Sequence, residues 1–171
     1  MKIDRVITGY LEENCYILTI DSKCLVIDPG DDYPLIEKKI GGNKVLAILL
    51  THDHFDHIGA VDEIKEKYKA PIYSYSNLKE GNFNIKDFNF EVIYTPGHKE
   101  DSITIYLKKE NIMFTGDFIF KGTIGRMDLP GGSYKDMQES LNKISKYDRN
   151  IKIYPGHGEE TILKNEIDLI I

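Results

Sequence analysis

The sequence has few of the features that mark several large protein classes. It contains two cysteines in 171 residues, which excludes a disulfide-dense secreted scaffold. Its net charge of −6 argues against a nucleic-acid-binding protein that relies on a basic surface. No run of apolar residues reaches membrane-spanning length, and the N-terminus has no apolar signal-peptide segment. We therefore expect a cytoplasmic protein that binds neither nucleic acid nor a membrane.

The two cysteines are not expected to pair. The segment 15–28 predicts a hairpin that turns near Asp21 and Ser22, which places Cys15 and Cys24 out of register. Free cysteine is most often a small buried residue, so we expect both thiols in the core. A location of Cys15 near an active site is the alternative.

Many short strands with a few helices between them are predicted, in one domain of residues 1–171. Apolar runs indicate strands near 2–8, 14–20, 23–28, 45–50, 71–75, 88–94, 103–108, 111–115 and 151–154. Helical spacing appears over 33–40, 58–68 and 133–147, and a short helix is expected after Glu159. Asp31 and Asp32 are candidate caps for the first helix, and Ser133 is a candidate cap for the third.

Histidines and aspartates follow directly after four of these predicted strands. The apolar run KVLAILL leads into THDHFDH at 51–57, and the other three strands end at His98, Asp117 and His157. All five histidines of the chain are used in this way. Loops at one edge of a rigid sheet are a common place for binding groups, so we expect these side chains to converge.

The spacing within THDHFDH is suited to metal binding. His52 and His54 are two residues apart and can chelate one ion, whereas Asp56 and His57 lie where the chain bends into a helix and face a second ion. Imidazole and carboxylate ligands without thiolate favour Zn²⁺, with Fe or Mn as alternatives. Seven ligands shared by two ions leave a position for water, as in catalytic sites. Asp53 is expected to accept hydrogen bonds from a turn or from a histidine ring.

The motif H-x-H-x-D-H resembles the signature of the metallo-β-lactamase superfamily. Four further segments are similar to its other motifs: LVIDPGDD with Asp28, TPGHKEDSITIYL, FTGDFIF and YPGHGEET. The resemblance implies an α/β protein with a four-layer αβ/βα sandwich and a dimetal site at one edge, between the two sheets. It also implies the metal ligands: His52, His54 and His98 for the first ion, Asp56, His57 and His157 for the second, and Asp117 as the bridge.

Residues 116–133 are similar to short bacterial hydrolases related to glyoxalase II, which cleave hydroxyacyl thioesters of glutathione. The resemblance implies a metal-dependent hydrolase of a small acyl thioester. Asp56 and Asp117 are the candidate catalytic residues, and we expect Asp56 to take the proton of the nucleophile. Arg126 and Lys121 are candidate substrate contacts, although a local ion pair between Arg126 and Asp128 is the simpler reading. Two-domain glyoxalase II has a C-terminal helical region that supplies much of its glutathione pocket. We expect no counterpart of that region here, so another thiol carrier is open.

Other functions remain open at this level. Persulfide dioxygenases share the superfamily and use one iron, which here would be held by His52 or His54 with His98 and Asp117. A lactonase or a phosphodiesterase on the same fold is a further alternative, and so is a metal sensor without turnover. The sequence leaves the oligomeric state open.

Overall fold

The structure, a computed structural model, describes residues 1–170. It contains five α-helices, which are α1 Tyr33–Ile40, α2 Phe55–Ile58, α3 Val61–Tyr68, α4 Tyr134–Ile144 and α5 Leu163–Ile170. The strands are β1 Lys2–Thr8, β2 Glu13–Ile20, β3 Lys23–Ile27, β4 Lys44–Leu49, β5 Ile72–Tyr73, β6 Gly81–Ile85, β7 Phe88–Tyr94, β8 Ile103–Leu107, β9 Ile112–Gly116, β10 Ile119–Phe120, β11 Thr123–Ile124, β12 Lys152–Pro155 and β13 Thr161–Ile162. Within this range no helix has both the length and the apolar character needed to cross a membrane.

Two sheets form the centre of the molecule. The first has five strands in the order β1-β2-β3-β4-β5, and the second has six in the order β13-β12-β9-β8-β7-β6. The pairs β3–β4, β4–β5 and β9–β12 are parallel, and the other pairs are antiparallel. Strands β10 and β11 form a separate short hairpin.

Three apolar cores hold four layers together. Along β2, Tyr16 and Leu18 pack between the two sheets, whereas Cys15 and Ile17 pack in the core that contains residues of α1 and α3. This alternation follows from the two-residue period of a strand. A third core packs α4 and α5 on the outer face of the second sheet. The four-layer αβ/βα sandwich is therefore confirmed, and both cysteines are free and buried, as predicted.

The four strands that were predicted to deliver ligands end at the same side of the sandwich. Strand β4 precedes residues 51–57, β7 precedes His98, β9 ends just before Asp117, and β12 ends just before His157. Strand β4 is buried on both faces because Ala47 and Leu49 pack between the sheets while Val45 and Ile48 face the helices. The ligand loop at 51–57 therefore follows a strand whose last three residues are buried.

Some local predictions were wrong. The helix expected over 58–68 is interrupted at Gly59 and Ala60, where the backbone N–H of Ala60 donates to the Pro29 carbonyl at 2.9 Å instead of to a carbonyl one helical turn earlier. Asp32 occupies the N-cap position of α1 but makes no side-chain capping bond, since its Oδ2 accepts from the backbone N–H of Gly9 instead. The cap at Ser133 is confirmed, because its hydroxyl accepts from the backbone N–H of Asp136.

Four short strands were not predicted from the sequence, namely β6, β10, β11 and β13. Three of them are only two residues long, which is too short for an alternating pattern to be visible. Strand β6 does alternate, but its glycine and asparagines are typical of turns. The helix expected after Glu159 is present as α5.

Candidate metal centre

Three histidines from two loops meet in the first half of the site. The His54 Nδ1 atom lies 3.2 Å from His52 Nε2 and 2.9 Å from His98 Nε2. The loop after β4 supplies His52 and His54, and the loop after β7 supplies His98. These three nitrogens are close enough to one another to coordinate a single ion.

The second half of the site contains Asp56, His57 and His157. The Asp56 Oδ2 atom lies 3.2 Å from His157 Nε2 and 3.8 Å from His57 Nε2. Helix α2 begins at Phe55 and carries Asp56 and His57 in its single turn, with the His57 ring centroid 4.2 Å from that of His52. This second group also has a spacing that fits one ion.

Asp117 lies between the two groups and contacts both. Its Oδ1 atom is 3.2 Å from His57 Nε2, and its Oδ2 atom is 3.6 Å from His98 Nε2 and 3.5 Å from His157 Nε2. A single carboxylate therefore faces one histidine of the first group and two of the second. The structure thus brings together all seven of the residues that the sequence predicts as ligands.

Two buried atoms at this point have no hydrogen-bond partner. They are His57 Nε2 and Asp117 Oδ1, and leaving such groups unpaired in the interior is costly. Both atoms are electron-pair donors of the kind that binds Zn²⁺ or Fe. A divalent cation between them would satisfy both, so these residues fit the metal ions that the motif implies.

Asp28 orients one histidine of each group. Its Oδ2 atom accepts a hydrogen bond from His57 Nδ1 at 3.1 Å and one from the Thr51 hydroxyl at 2.5 Å. The same hydroxyl accepts from His52 Nδ1 at 3.1 Å. Both rings are therefore held with Nδ1 protonated and with the Nε2 lone pair turned towards the centre, which is the usual outer arrangement of metal-binding histidines.

Backbone carbonyl oxygens orient two further rings. His98 Nδ1 donates to the Arg126 carbonyl at 2.7 Å, and His157 Nδ1 donates to the Leu11 carbonyl at 3.0 Å. Because a carbonyl oxygen can only accept, the Nε2 atom of each ring carries the free lone pair. Four of the five imidazoles are thus fixed in the tautomer that a metal ligand needs.

The electrostatics of the two halves differ. Burial and the neighbouring histidines hold the pKa of His52 well below its usual value, and burial also lowers the pKa of His54. Both rings are therefore neutral, as ligands must be. Burial opposes a charge on His57, but the carboxylates of Asp117 and Asp28 outweigh it and raise its pKa. The same carboxylates would stabilise a metal cation at that position.

Glycine permits the close packing behind the ligands. A Cβ on Gly156 would lie 2.3 Å from Asp117 Oδ1 and 2.7 Å from the His57 ring, and a Cβ on Gly30 would lie 1.8 Å from the Asp56 carbonyl oxygen. No side chain larger than hydrogen fits at either position without moving a predicted ligand. The glycines of the PGH and DPG motifs therefore have a steric role in the site.

Sequence reasoning missed Glu13, a buried carboxylate below the second group. Its Oε2 accepts from the Thr8 hydroxyl at 2.7 Å, and its Oε1 lies 3.7 Å from His57 Nδ1 without a hydrogen bond. Burial holds its pKa well above the usual value. No local motif marks this residue, and Thr51 and the orienting role of Asp28 also became visible only in three dimensions.

Three charged residues near the site form ion pairs. The prediction for Asp53 was wrong, because its carboxylate pairs with Lys99 Nζ at 2.5 Å. Arg126 makes a bidentate pair with Asp128 at 2.7 and 2.6 Å, which is the local pair that was considered. Lys121 pairs with Glu159 at 2.5 Å. A contact of Arg126 or Lys121 with substrate stays a prediction.

Comparisons with known proteins point to one superfamily. The family model of the metallo-beta-lactamase superfamily matches residues 8–84 and 80–157. The probable metallo-hydrolase YqgX of Bacillus subtilis (strain 168) is 35% identical over 98% of this chain and 95% of its own length. A hydroxyacylglutathione hydrolase of Francisella tularensis subsp. novicida (strain U112) is 34% identical over 92% of this chain but only 68% of that enzyme.

Two solved structures share nearly the whole fold. The B3 metallo-beta-lactamase BLEG-1 has a TM-score of 0.93 and is 31% identical, with 99% of this chain and 100% of that chain covered. The protein TTHA1623, solved in a di-iron-bound form, has a TM-score of 0.85 and is also 31% identical, with 95% and 96% covered.

Proposed function

The chain belongs to the metallo-β-lactamase superfamily, and from this premise we propose that it is a dinuclear, metal-dependent hydrolase of small acyl thioesters. Its relatives support a metal-dependent, hydrolase-type enzyme in general. The observation that carries the dinuclear proposal is the position of Asp117, whose two oxygens face both groups of histidines. Zn²⁺ is the ion that we expect from the donor set, with Fe or Mn as alternatives.

The residues divide into ligands and proton carriers. His52, His54 and His98 would hold one ion, Asp56, His57 and His157 the other, and Asp117 both. When bound, the ions would supply a water of lowered pKa and a Lewis acid for the substrate carbonyl. All five histidines are committed, so the site has no free histidine that could serve as general base or acid.

Asp56 is the residue that we propose to move a proton. An aspartate carboxyl has an ordinary pKa of about 3.9, so Asp56 is ionised near neutral pH and able to accept a proton. The oxygen of water attacks the thioester carbonyl carbon, the carboxylate of Asp56 takes a proton from that water, and the carbon–sulfur bond then breaks. The thiol leaves as thiolate, which needs little acid assistance because a thiol has a pKa of about 8.5.

A persulfide dioxygenase is the alternative that the same fold allows. A single-iron enzyme requires only one group of histidines with one aspartate. In this chain a second group, Asp56, His57 and His157, also has a spacing that fits one ion, and His57 Nδ1 donates a hydrogen bond to Asp28. Two groups with ligand spacing are what a dinuclear site requires, so the geometry favours two ions.

Metal analysis combined with a substrate panel tests the proposal. The purified protein is expected to bind two ions per chain and to release thiol from acyl thioesters without consuming oxygen. One iron per chain, with oxygen uptake on glutathione persulfide, would instead identify the dioxygenase. Full metal loading with no turnover of thioester, ester, lactone or phosphodiester would leave a metal-binding protein without enzymatic activity.

A further inference from the structure

A small cavity opens beside the metal centre, between the β1–β2 turn and helix α2. Its volume is about 190 Å³, and Asp56 lines it together with Tyr10, Leu11 and Phe55. Pockets that enclose a whole drug-sized ligand usually measure about 300–1,000 Å³. This cavity therefore fits one substituent of a substrate whose reacting group lies at the metal ions.

Two aromatic rings form the outer wall of the cavity. The side chain of Tyr10 is 81% exposed and that of Phe55 is 63% exposed. Their rings stack with centroids 6.5 Å apart and an interplanar angle of 22°. Leu11, whose backbone carbonyl accepts a hydrogen bond from His157, also has an exposed side chain. An apolar patch of this kind beside an active centre is typical of a binding surface.

The patch is held in a fixed position relative to the ligands. The Leu11 carbonyl accepts from His157 Nδ1, and the Gly9 backbone N–H donates to Asp32 Oδ2 at 2.9 Å. Phe55 lies between the predicted ligands His54 and Asp56 in sequence and begins helix α2. The aromatic wall is thus built from the same two segments that orient the second group of ligands.

The described lining of the cavity offers no cationic side chain to an anionic substituent. The two charged residues that line its described surface are Asp31 and Asp56, both acidic. The cations on the neighbouring ligand loops are each paired with a carboxylate: Lys99 with Asp53, Lys121 with Glu159, and Arg126 with Asp128. Glutathione carries two carboxylates, and no residue in the described lining of the cavity is a cation that could pair with them.

We propose that Tyr10 and Phe55 bind an uncharged, apolar substituent, such as an aryl or branched alkyl group, next to the thioester bond. The enzyme consequently prefers neutral, apolar thioesters over thioesters of glutathione. This inference rests on the proposed thioesterase function and deepens it. The apolar group can belong to the acyl chain or to the thiol, and both sources present the same chemistry to the aromatic wall.

Matched substrates separate the two sources. Phenylacetyl and acetyl thioesters of N-acetylcysteamine vary the acyl side, and acetyl thioesters of benzyl mercaptan and N-acetylcysteamine vary the thiol side. For whichever side of the thioester enters the cavity, acyl or thiol, we expect wild type to have a higher kcat/KM with the aryl-bearing substrate of the pair. For each pair we take the ratio of kcat/KM for the aryl-bearing substrate to kcat/KM for the substrate without the aryl group. For the side that enters the cavity, this ratio is expected to fall about fivefold in Tyr10→Ala, and similarly in Phe55→Ala.

Leu35→Ala is the matched control, because Leu35 is an exposed apolar residue on α1 that does not line this cavity. Its ratio should equal that of wild type. An unchanged ratio in both Tyr10→Ala and Phe55→Ala, on both sides of the thioester, would overturn the proposal. A higher kcat/KM for acetyl-glutathione than for the neutral thioesters would also overturn it, and would favour Arg126 and Lys121 as substrate contacts.

A binding measurement distinguishes failure of this inference from failure of the proposed function. The benzyl thioether of N-acetylcysteamine has no bond to hydrolyse, and its affinity for the metal-loaded protein can be measured by calorimetric titration. Tyr10→Ala should weaken this affinity about fivefold whether or not the protein hydrolyses thioesters. Thioester hydrolysis with no effect of Tyr10→Ala on binding or on the ratio would refute the subsite and leave the thioesterase standing.

Discussion

The carboxylate of Asp28 accepts a hydrogen bond from the His57 ring at 3.1 Å, although the two residues lie 29 positions apart in the chain. Through the Thr51 hydroxyl the same carboxylate also orients His52. One buried aspartate that is not itself a predicted ligand therefore sets the direction of one ligand in each half of the metal centre.

Replacement of Asp28 by asparagine should weaken metal binding while the fold is retained. Asparagine tolerates the left-handed backbone of this position, where φ is 48°, but it cannot accept from Thr51 and His57 as a carboxylate does. We expect a loss of roughly 10–100-fold in metal affinity, measured by competition with a chromophoric chelator. Asp62→Asn, at an exposed position of α3, is the control. Equal affinities in the two variants would contradict the orienting role.

Asp117→Ala should remove metal from both halves of the site. The carboxylate contacts histidines of both groups. We therefore expect its removal to lower metal affinity by more than the roughly 10–100-fold expected for an outer partner such as Asp28. Elemental analysis and thioester turnover should both fall to near background, while circular dichroism shows a folded chain. Full activity with intact metal content would refute the bridging role.

His57→Ala should empty mainly one half of the site. His57 belongs to the group with Asp56 and His157, whereas His52, His54 and His98 retain their own contacts. The metal content is expected to fall from about two ions to about one per chain, because each group is close to a complete ligand set. His52→Ala is the complementary variant. Two ions still bound after the loss of His57 would contradict this division of ligands.

Gly156→Ala should disturb the site through steric contact alone. The added methyl group would lie 2.3 Å from Asp117 Oδ1 and would displace that carboxylate or the His57 ring. We expect a lower metal content and lower activity than in wild type. Gly42→Ala is a matched control, since a Cβ there meets no atom within 4 Å and needs no positive φ. Similar metal contents in the two variants would show that the loop after β12 accommodates the methyl group.

Glu166→Ala should destabilise the protein without touching the metal ligands. The buried carboxylate of α5 accepts from the Gly122 backbone N–H at 2.6 Å and from the Thr161 hydroxyl at 2.5 Å, and so joins α5 to the β10–β11 hairpin. Its removal leaves these donors without their acceptor, which costs roughly 1–3 kcal/mol of unfolding free energy. Urea denaturation measures this, with the exposed Glu139→Ala as control. A loss no larger than that of the control would refute the structural role.

The sequence predicted the strands that carry the site better than the turns between them. Strand β4 was recognisable because a run buried on both faces is apolar throughout. The break between α2 and α3 was not, since there the backbone N–H of Ala60 bonds to the carbonyl of Pro29, which lies far away in the sequence. The missing side-chain cap at Asp32 also depends on a distant residue, because the Asp32 carboxylate accepts from the backbone N–H of Gly9 instead of from helix α1.

The sequence by itself determined the chemistry of the site. Residue type fixes which atoms can bind a metal, and the spacing of His52, His54, Asp56 and His57 divides them between two directions within a few residues. Only the tertiary structure decided the surroundings: that Asp28 and Thr51 fix two rings, that Glu13 lies buried below them, and that Asp53 and Lys121 are held in ion pairs with Lys99 and Glu159. These partners come from distant parts of the chain, and burial and packing select them in a way that no local pattern records.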